Sequence, residues 1–176
     1  MTQDLPDIPE PHRGRVIRYL NCLERWSRKI NLTGADTRAA AFATLVAPVL
    51  GAEGLLSGRV IDVGSGNGSP GLILAALRPD LTFTLLEPRA KRWAFLREAA
   101  REMGLSNTTV RRERSDEYQE EAADVVTIRA VGLNPDELRP LLVPGGSVLV
   151  FGGPDLPGAE ALPLPSGARV QRHCFT

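Results

Sequence analysis

The stretch RVIDVGSGNGSPGLILAALRPD, residues 59–80, decides the fold. A short β-type run ends at Asp62-Val63, alternating glycines follow, and an apolar helical segment then runs to Arg78-Pro79. Strand, glycine loop and helix form the opening unit of a doubly wound sheet. In such a sheet a ligand sits beyond the carboxyl end of the first strand, against the next helix. The loop has two possible registers. Gly66-Asn67-Gly68-Ser69-Pro70-Gly71 matches the G-x-G-x-x-G of a dinucleotide loop, but the match starts two residues late. Counted from Gly64, where the strand ends, the third glycine falls on Ser69.

The other register needs no adjustment. Asp62-Val63-Gly64-Ser65-Gly66-Asn67-Gly68 reads as the acid-x-G-x-G-x-G loop of an S-adenosylmethionine (SAM) methyltransferase, which houses a methionine tail and a nucleoside rather than a pyrophosphate. Pro70 suits a first helical turn, which puts Gly71 in the helix and outside the cradle. Asp62, Gly64, Ser65, Gly66 and Gly68 are therefore the cofactor candidates of the loop. Glu87, at the tip of the second predicted strand, is placed to accept both ribose hydroxyls; a nicotinamide site would want an acid there too.

Working outward, β-type runs recur at 81–87, 108–113, 124–130 and 146–152. Helical candidates fall at 70–78, 89–103, 116–121 and 135–142. That alternation predicts an α/β, Rossmann-like, mostly parallel sheet with helices on both faces. Upstream, Val16, Tyr19, Leu20, Leu23, Trp26 and Ile30 follow the helical period, and a second apolar helix covers 39–50 with Pro48 bending or ending it. The division expected is a helical cap, 1–57, on a domain, 58–176. Residues 152–167 read as a Gly/Pro-rich loop.

The bulk numbers exclude several classes. With 176 residues, 43% apolar and 24% charged, the chain is an ordinary globular domain. Its apolar run AAAFATLVAPVLG, 39–51, is shorter than a membrane span, and the acidic, Pro-rich start lacks a signal-peptide layout. Two cysteines and two isolated histidines offer no disulfide framework, metal spacing or His-based triad, so a reducing cytoplasm is expected. Net charge is zero, yet residues 89–114 hold eight basic residues against three acids. That cluster is either a solvated face or a nucleic-acid footprint. Its candidates for RNA are Arg89, Lys91, Arg92, Arg111 and Arg112.

Several segments together resemble the ribosomal RNA small subunit methyltransferase G family, also called glucose-inhibited division protein B. They are LERWSRKINLT, IDVGSGNGSPG, RPDLTFTLLE followed by KRWAFLRE, GLSNTTV, RSDE and DVVTIRAV, spanning residues 19–153. The resemblance implies a Rossmann-like domain with a helical cap. It also implies SAM-dependent N7-methylation of one guanine in a decoding-region loop of 16S ribosomal RNA, with S-adenosylhomocysteine as product. By position it places Gly64 and Ser69 beside the cofactor, Ser115 and Asp116 near adenosine, and Arg129 close to cofactor and substrate. The chain departs from the family pattern at Ser27, Ala39, Phe42, Ser69, Asp116 and Gly152, and in a short tail.

Guanine N7 carries an in-plane lone pair and no proton, so this chemistry needs no general base; proximity and orientation would do the work. Arg129, whose fork suits a carboxylate or a base, is the positioning candidate, with a structural ion pair as the plain alternative. Trp26 and Trp93 sit at helical spacing among apolar neighbours, which favours packing over base stacking. The expected partner is 16S ribosomal RNA or the small subunit, with no membrane, DNA or metal role and nothing demanding more than a monomer. Three other readings stay open: a SAM-dependent small-molecule methyltransferase, a SAM-binding protein without catalysis and, last, a nicotinamide oxidoreductase, which would require NAD binding.

Overall fold

The computed structural model describes Ile8, residues 10–129, Gly132 and residues 134–175. Seven strands make one sheet in the order β3-β2-β1-β4-β5-β7-β6. β1 (Arg59–Val63), β2 (Thr82–Leu86), β3 (Thr108–Arg111), β4 (Ala123–Arg129) and β5 (Leu142–Phe151) run parallel. β7 (Arg169–Cys174) returns antiparallel beside β5 and pairs with the edge strand β6 (Glu160–Pro163). The five predicted strands are all present; the last predicted residue of the fourth, Ala130, lies outside the described residues.

Pleating sorts each strand between two cores. Val60, Phe83, Leu85, Val125, Leu149 and Phe151 face the larger one, and Ile61, Val63, Leu86, Val126, Ile128 and Val148 face the smaller. The larger core is roofed by α1 (Arg13–Ser27), α3 (Gly71–Leu77), α4 (Ala90–Met103) and the helical turns of 38–55. α3 reads GLILAAL and is buried on every side, as a helix apolar all round must be. α4 ends in Gly104, whose left-handed φ of 68° lets its N–H reach the carbonyls of Ala100 and Arg101.

Both faces carry helical cover, as expected, but unequally. Among the described residues, the second face receives a 3-10 segment, Pro135–Leu141, with Tyr118, Leu156 and Phe175. Pro140 lacks an N–H and blocks a regular α-helix there. The helix expected at 116–121 is a turn at 115–117; six residues are too few to offset helix nucleation without a packed face. β6 falls in the predicted loop, where its Pro163 is tolerated because the strand is an edge.

The second cap helix is not one helix. α2 (Arg38–Ala41) passes into a π turn (Phe42–Val46), then 3-10 turns at Ala47–Val49 and Ala52–Leu55. Together these 18 residues reach a mean hydropathy of 1.2, long and apolar enough by length and composition to cross a membrane. That corrects the expectation drawn from the shorter run 39–51. Their geometry argues for packing: Gly51 breaks the path with φ 92°, and Leu45, Val46, Val49, Leu50 and Ala52 belong to the core.

Candidate functional site

At the carboxyl ends of β1, β2 and β4 lies an open cleft of about 780 Å³. The glycine loop makes its floor through Gly64, Ser65, Gly66, Asn67 and Ser69; Glu87, Arg89, Arg92, Arg114 and Arg129 line it from the sheet side, and Leu32 and Leu45 from the cap. Gly64, Gly66 and Gly68 all take positive φ (68°, 46° and 88°), so the loop alternates into a conformation that side chains resist. Its backbone hangs on the second strand: the N–H groups of Gly64 and Ser65 both donate to the carbonyl of Leu86. Glu87, 2% exposed, closes the arrangement, accepting from the Gly66 N–H at 3.1 Å and the Arg89 N–H at 2.9 Å. A carboxylate has about four lone-pair sites, so acceptor capacity remains for a diol.

Asp62 lies beneath this floor. Its Oδ1 accepts from the Thr127 hydroxyl at 2.6 Å, while Oδ2, buried, has no hydrogen-bond partner. Burial raises its pKa from 3.8 to about 6, against the lowering effect of hydrogen bonds led by Thr127. Helix α3 starts directly on this carboxyl: a Cβ at Gly71 would stand 2.6 Å from Asp62 Oδ2 and 2.9 Å from its Cβ. Gly71 is thus helical, as expected, and its missing side chain brings the helix N-terminus onto β1.

The cap is bonded into the loop. Tyr19, fully buried with its phenol pushed up by desolvation, donates to the Asn67 carbonyl at 2.8 Å. The Asn67 amide donates to the Leu32 carbonyl at 3.3 Å, and its Oδ1 accepts from the Ser69 N–H at 3.1 Å. Pro48 cannot donate to the carbonyl of Thr44, four residues back, and the shift to 3-10 turns leaves the Leu45 carbonyl outside a regular ladder. Arg129 meets both. It donates to Thr44 O, to Leu45 O at 3.3 Å and to Ser69 Oγ at 2.6 Å, and the Ser69 hydroxyl donates in turn to Leu45 O at 2.6 Å. Half-buried, Arg129 has its pKa lowered by desolvation. It makes no ion pair among the described residues; its bonds go to backbone and hydroxyl.

The predicted residues separate into groups. Gly64, Ser65, Gly66, Ser69, Glu87 and Arg129 line the cleft; Asp62 is under it, and Gly68 is wedged between Leu72 and Tyr19. Ser115 and Asp116 do not line it. Asp116 is exposed and accepts from Arg114 Nε at 3.0 Å, and Arg114 is the residue of that turn facing the cleft. Of the RNA candidates, Arg89 and Arg92 line the cleft, while Lys91 and Arg112 are exposed outside it. Arg111, on the edge strand, is paired with Glu120. The sequence reading did not single out Asn67, Leu32, Leu45 or a polar role for Tyr19. Asn67 was visible inside the loop, whereas the others reach the site only through the cap. Among the described residues, Cys22, Glu98 and Glu102 gather metal-type donor atoms within 4.8 Å, but Arg25 already bonds both carboxylates.

The model of the family described as rRNA small subunit methyltransferase G matches residues 13–155. Ribosomal RNA small subunit methyltransferase G of Neisseria gonorrhoeae (strain NCCP11945) is 39% identical over 132 residues, covering 71% of this chain and 61% of that protein. The match therefore spans less than two thirds of that relative. The protein of the same name from Methylococcus capsulatus is 35% identical over 172 residues, covering 95% of this chain and 83% of its own length. A SAM-dependent methyltransferase from Aquifex aeolicus shares the fold at a TM-score of 0.59 and 10% identity, covering 88% of this chain and 98% of that one. The chain belongs to the ribosomal RNA small subunit methyltransferase G family.

Proposed function

We propose that the chain is a SAM-dependent methyltransferase that modifies N7 of one guanine in a decoding-region loop of 16S ribosomal RNA, on the RNA or the small subunit, as a cytoplasmic monomer. The observation that carries the reading is one cleft with two unlike walls, a glycine loop closed by buried Glu87 and a basic rim of Arg89, Arg92 and Arg114. The cleft fits the cofactor. Glu87 keeps acceptor capacity for a ribose diol, and unpaired Asp62 Oδ2 puts negative potential under the loop, suited to a cationic amino-acid tail. When bound, SAM supplies an electrophilic methyl group on a sulfonium.

The residues' work is then binding and orientation. Glu87 holds the nucleoside side through its remaining acceptor capacity, the N–H groups of Gly64, Ser65 and Gly66 being bonded to Leu86 O and to Glu87 itself. Ser115 and Asp116 approach the adenine only if their turn closes over the cleft. Arg129, with two of five guanidinium donors beyond its three protein bonds, orients the cofactor tail or the guanine edge. The described part of the cap, within 1–57, lies over the domain, 58–176, and lines the cleft with Leu32 and Leu45. Guanine N7 needs no proton removed, and among the described residues no His lines the cleft.

The test is transfer of labelled methyl from SAM to small-subunit RNA and particles from cells lacking the modification, with the product mapped by nucleotide. N7-methylguanine at one loop position is the expected result. Tight S-adenosylhomocysteine binding with no transfer to either would overturn the ribosomal substrate and leave a small-molecule enzyme or a non-catalytic SAM-binding protein.

A further inference from the structure

Outside the cleft, the outer face of α4 carries a second groove of about 490 Å³, lined by Trp93, Ala94, Arg97, Glu98 and Arg101. Arg89, Trp93, Arg97 and Arg101 are spaced four apart, so they form one ridge along the helix with steps of about 6 Å. Arg89 lines the cofactor cleft and the other three leave it, which makes the ridge continuous with the cleft mouth.

Trp93 is half-buried and fixed. Its indole N–H donates to the Val110 carbonyl of β3 at 3.3 Å, and the Arg97 guanidinium lies over the ring, 4.8 Å from its centroid. A guanidinium held over an aromatic ring leaves its outer face free and flat, with donors at the edges. Arg89 and Arg97 have no acidic partner among the described residues, and Arg101 reaches Glu102 only at 3.9 Å while 76% exposed. The single acid of the groove, Glu98, is bonded to Arg25, which offsets its charge.

We propose that this ridge is a docking track for a single-stranded RNA segment flanking the methylated loop, with Arg97, backed by Trp93, as the surface on which a base stacks. The proposal rests on the RNA reading of the cleft and adds a binding subsite to it. Stacked bases on Arg planes and aromatic rings, with cations along the backbone, are how unpaired RNA is held without sequence readout. An acidic protein segment would satisfy the charge but gain nothing from the stacked plane.

The test measures binding of a single-stranded RNA of about 12 nucleotides, within the usual site range for such tracks. The Trp26→Phe background leaves Trp93 as the sole tryptophan. RNA is expected to change Trp93 fluorescence as Arg97 engages a base. Arg97→Ala should weaken binding about five- to a hundredfold and flatten the salt slope by about 0.7, with S-adenosylhomocysteine affinity unchanged. Trp93→Phe should keep most of the binding. Arg97→Ala binding as tightly as wild type, while Arg89→Ala and Arg92→Ala lose RNA, would overturn the track and leave the RNA reading intact. Displacement of the RNA by polyglutamate with no fluorescence change would overturn stacking in favour of a generic anion face. Failure of the unmutated protein to bind RNA at all would remove both readings.

Discussion

Replacing Arg129 by Ala tests the claim that this residue is the clasp between cap and loop. The side chain makes three hydrogen bonds, to Thr44 O, Leu45 O and Ser69 Oγ, across 60 to 85 residues of sequence. A hydrogen bond from a charged donor is worth about 1.5–3 kcal/mol, and bonds sharing one group are not additive. Partial exposure reduces the sum, so Arg129→Ala is expected to cost about 2–4 kcal/mol in denaturant unfolding. Ser69→Ala removes one donor and one acceptor and should cost about 1–2 kcal/mol. Because Ser69 and Arg129 bond each other and share Leu45 O, the double variant should fall short of the sum by about 1 kcal/mol. Limited proteolysis gives the second readout: cleavage within 38–55 should accelerate in Arg129→Ala, since the Thr44 and Leu45 carbonyls lose their donor. Arg129→Lys, with one ammonium for three acceptors, should fall between. A change within about 0.5 kcal/mol for Arg129→Ala, additive with Ser69→Ala, would refute the clasp and leave packing of α1 as what holds the cap.

Three other outcomes follow from the same site. Gly71→Ala drives a methyl against Asp62, which Thr127 holds, so α3 must shift; the cost is about 1–3 kcal/mol by denaturation, with S-adenosylhomocysteine binding lost in titration calorimetry. Glu87→Gln turns an NH₂ toward either the Gly66 or the Arg89 N–H and should weaken S-adenosylhomocysteine about tenfold or more; an unchanged affinity sinks the ribose assignment. Asp62 holds its proton in the folded protein up to about pH 6 but only to about 3.8 when unfolded. Ligand-free protein should therefore gain stability relative to Asp62→Asn as pH falls from about 6 to about 4, by up to about 3 kcal/mol. A difference between the two that is flat with pH would show the carboxyl to be ordinarily solvated.

The sequence alone determined the sheet's parallel core, the position of the glycine loop and its register, because local geometry dictates them. A β-run facing two cores is apolar on both sides, three alternating glycines mark positive φ, and Arg78-Pro79 and Gly104 stop helices where they stand. It also placed Glu87 at a strand tip, since the strand's length sets where it ends. Pro48 was legible as a break; that the break releases the Thr44 carbonyl four residues earlier is seen only in the structure. What accepts that release was not legible, because Arg129 is 85 residues away and arrives only when β4 lies beside β1. The same holds for Tyr19 under Asn67 and for Asp62 against Gly71, where an apolar-period residue and a glycine gain their roles from close approach. The basic cluster shows the limit most plainly. Composition counted its charges, but only the turn of α4 and the edge position of β3 sorted them, sending Arg89 and Arg92 to the cleft, Arg97 onto Trp93 and Arg111 to Glu120.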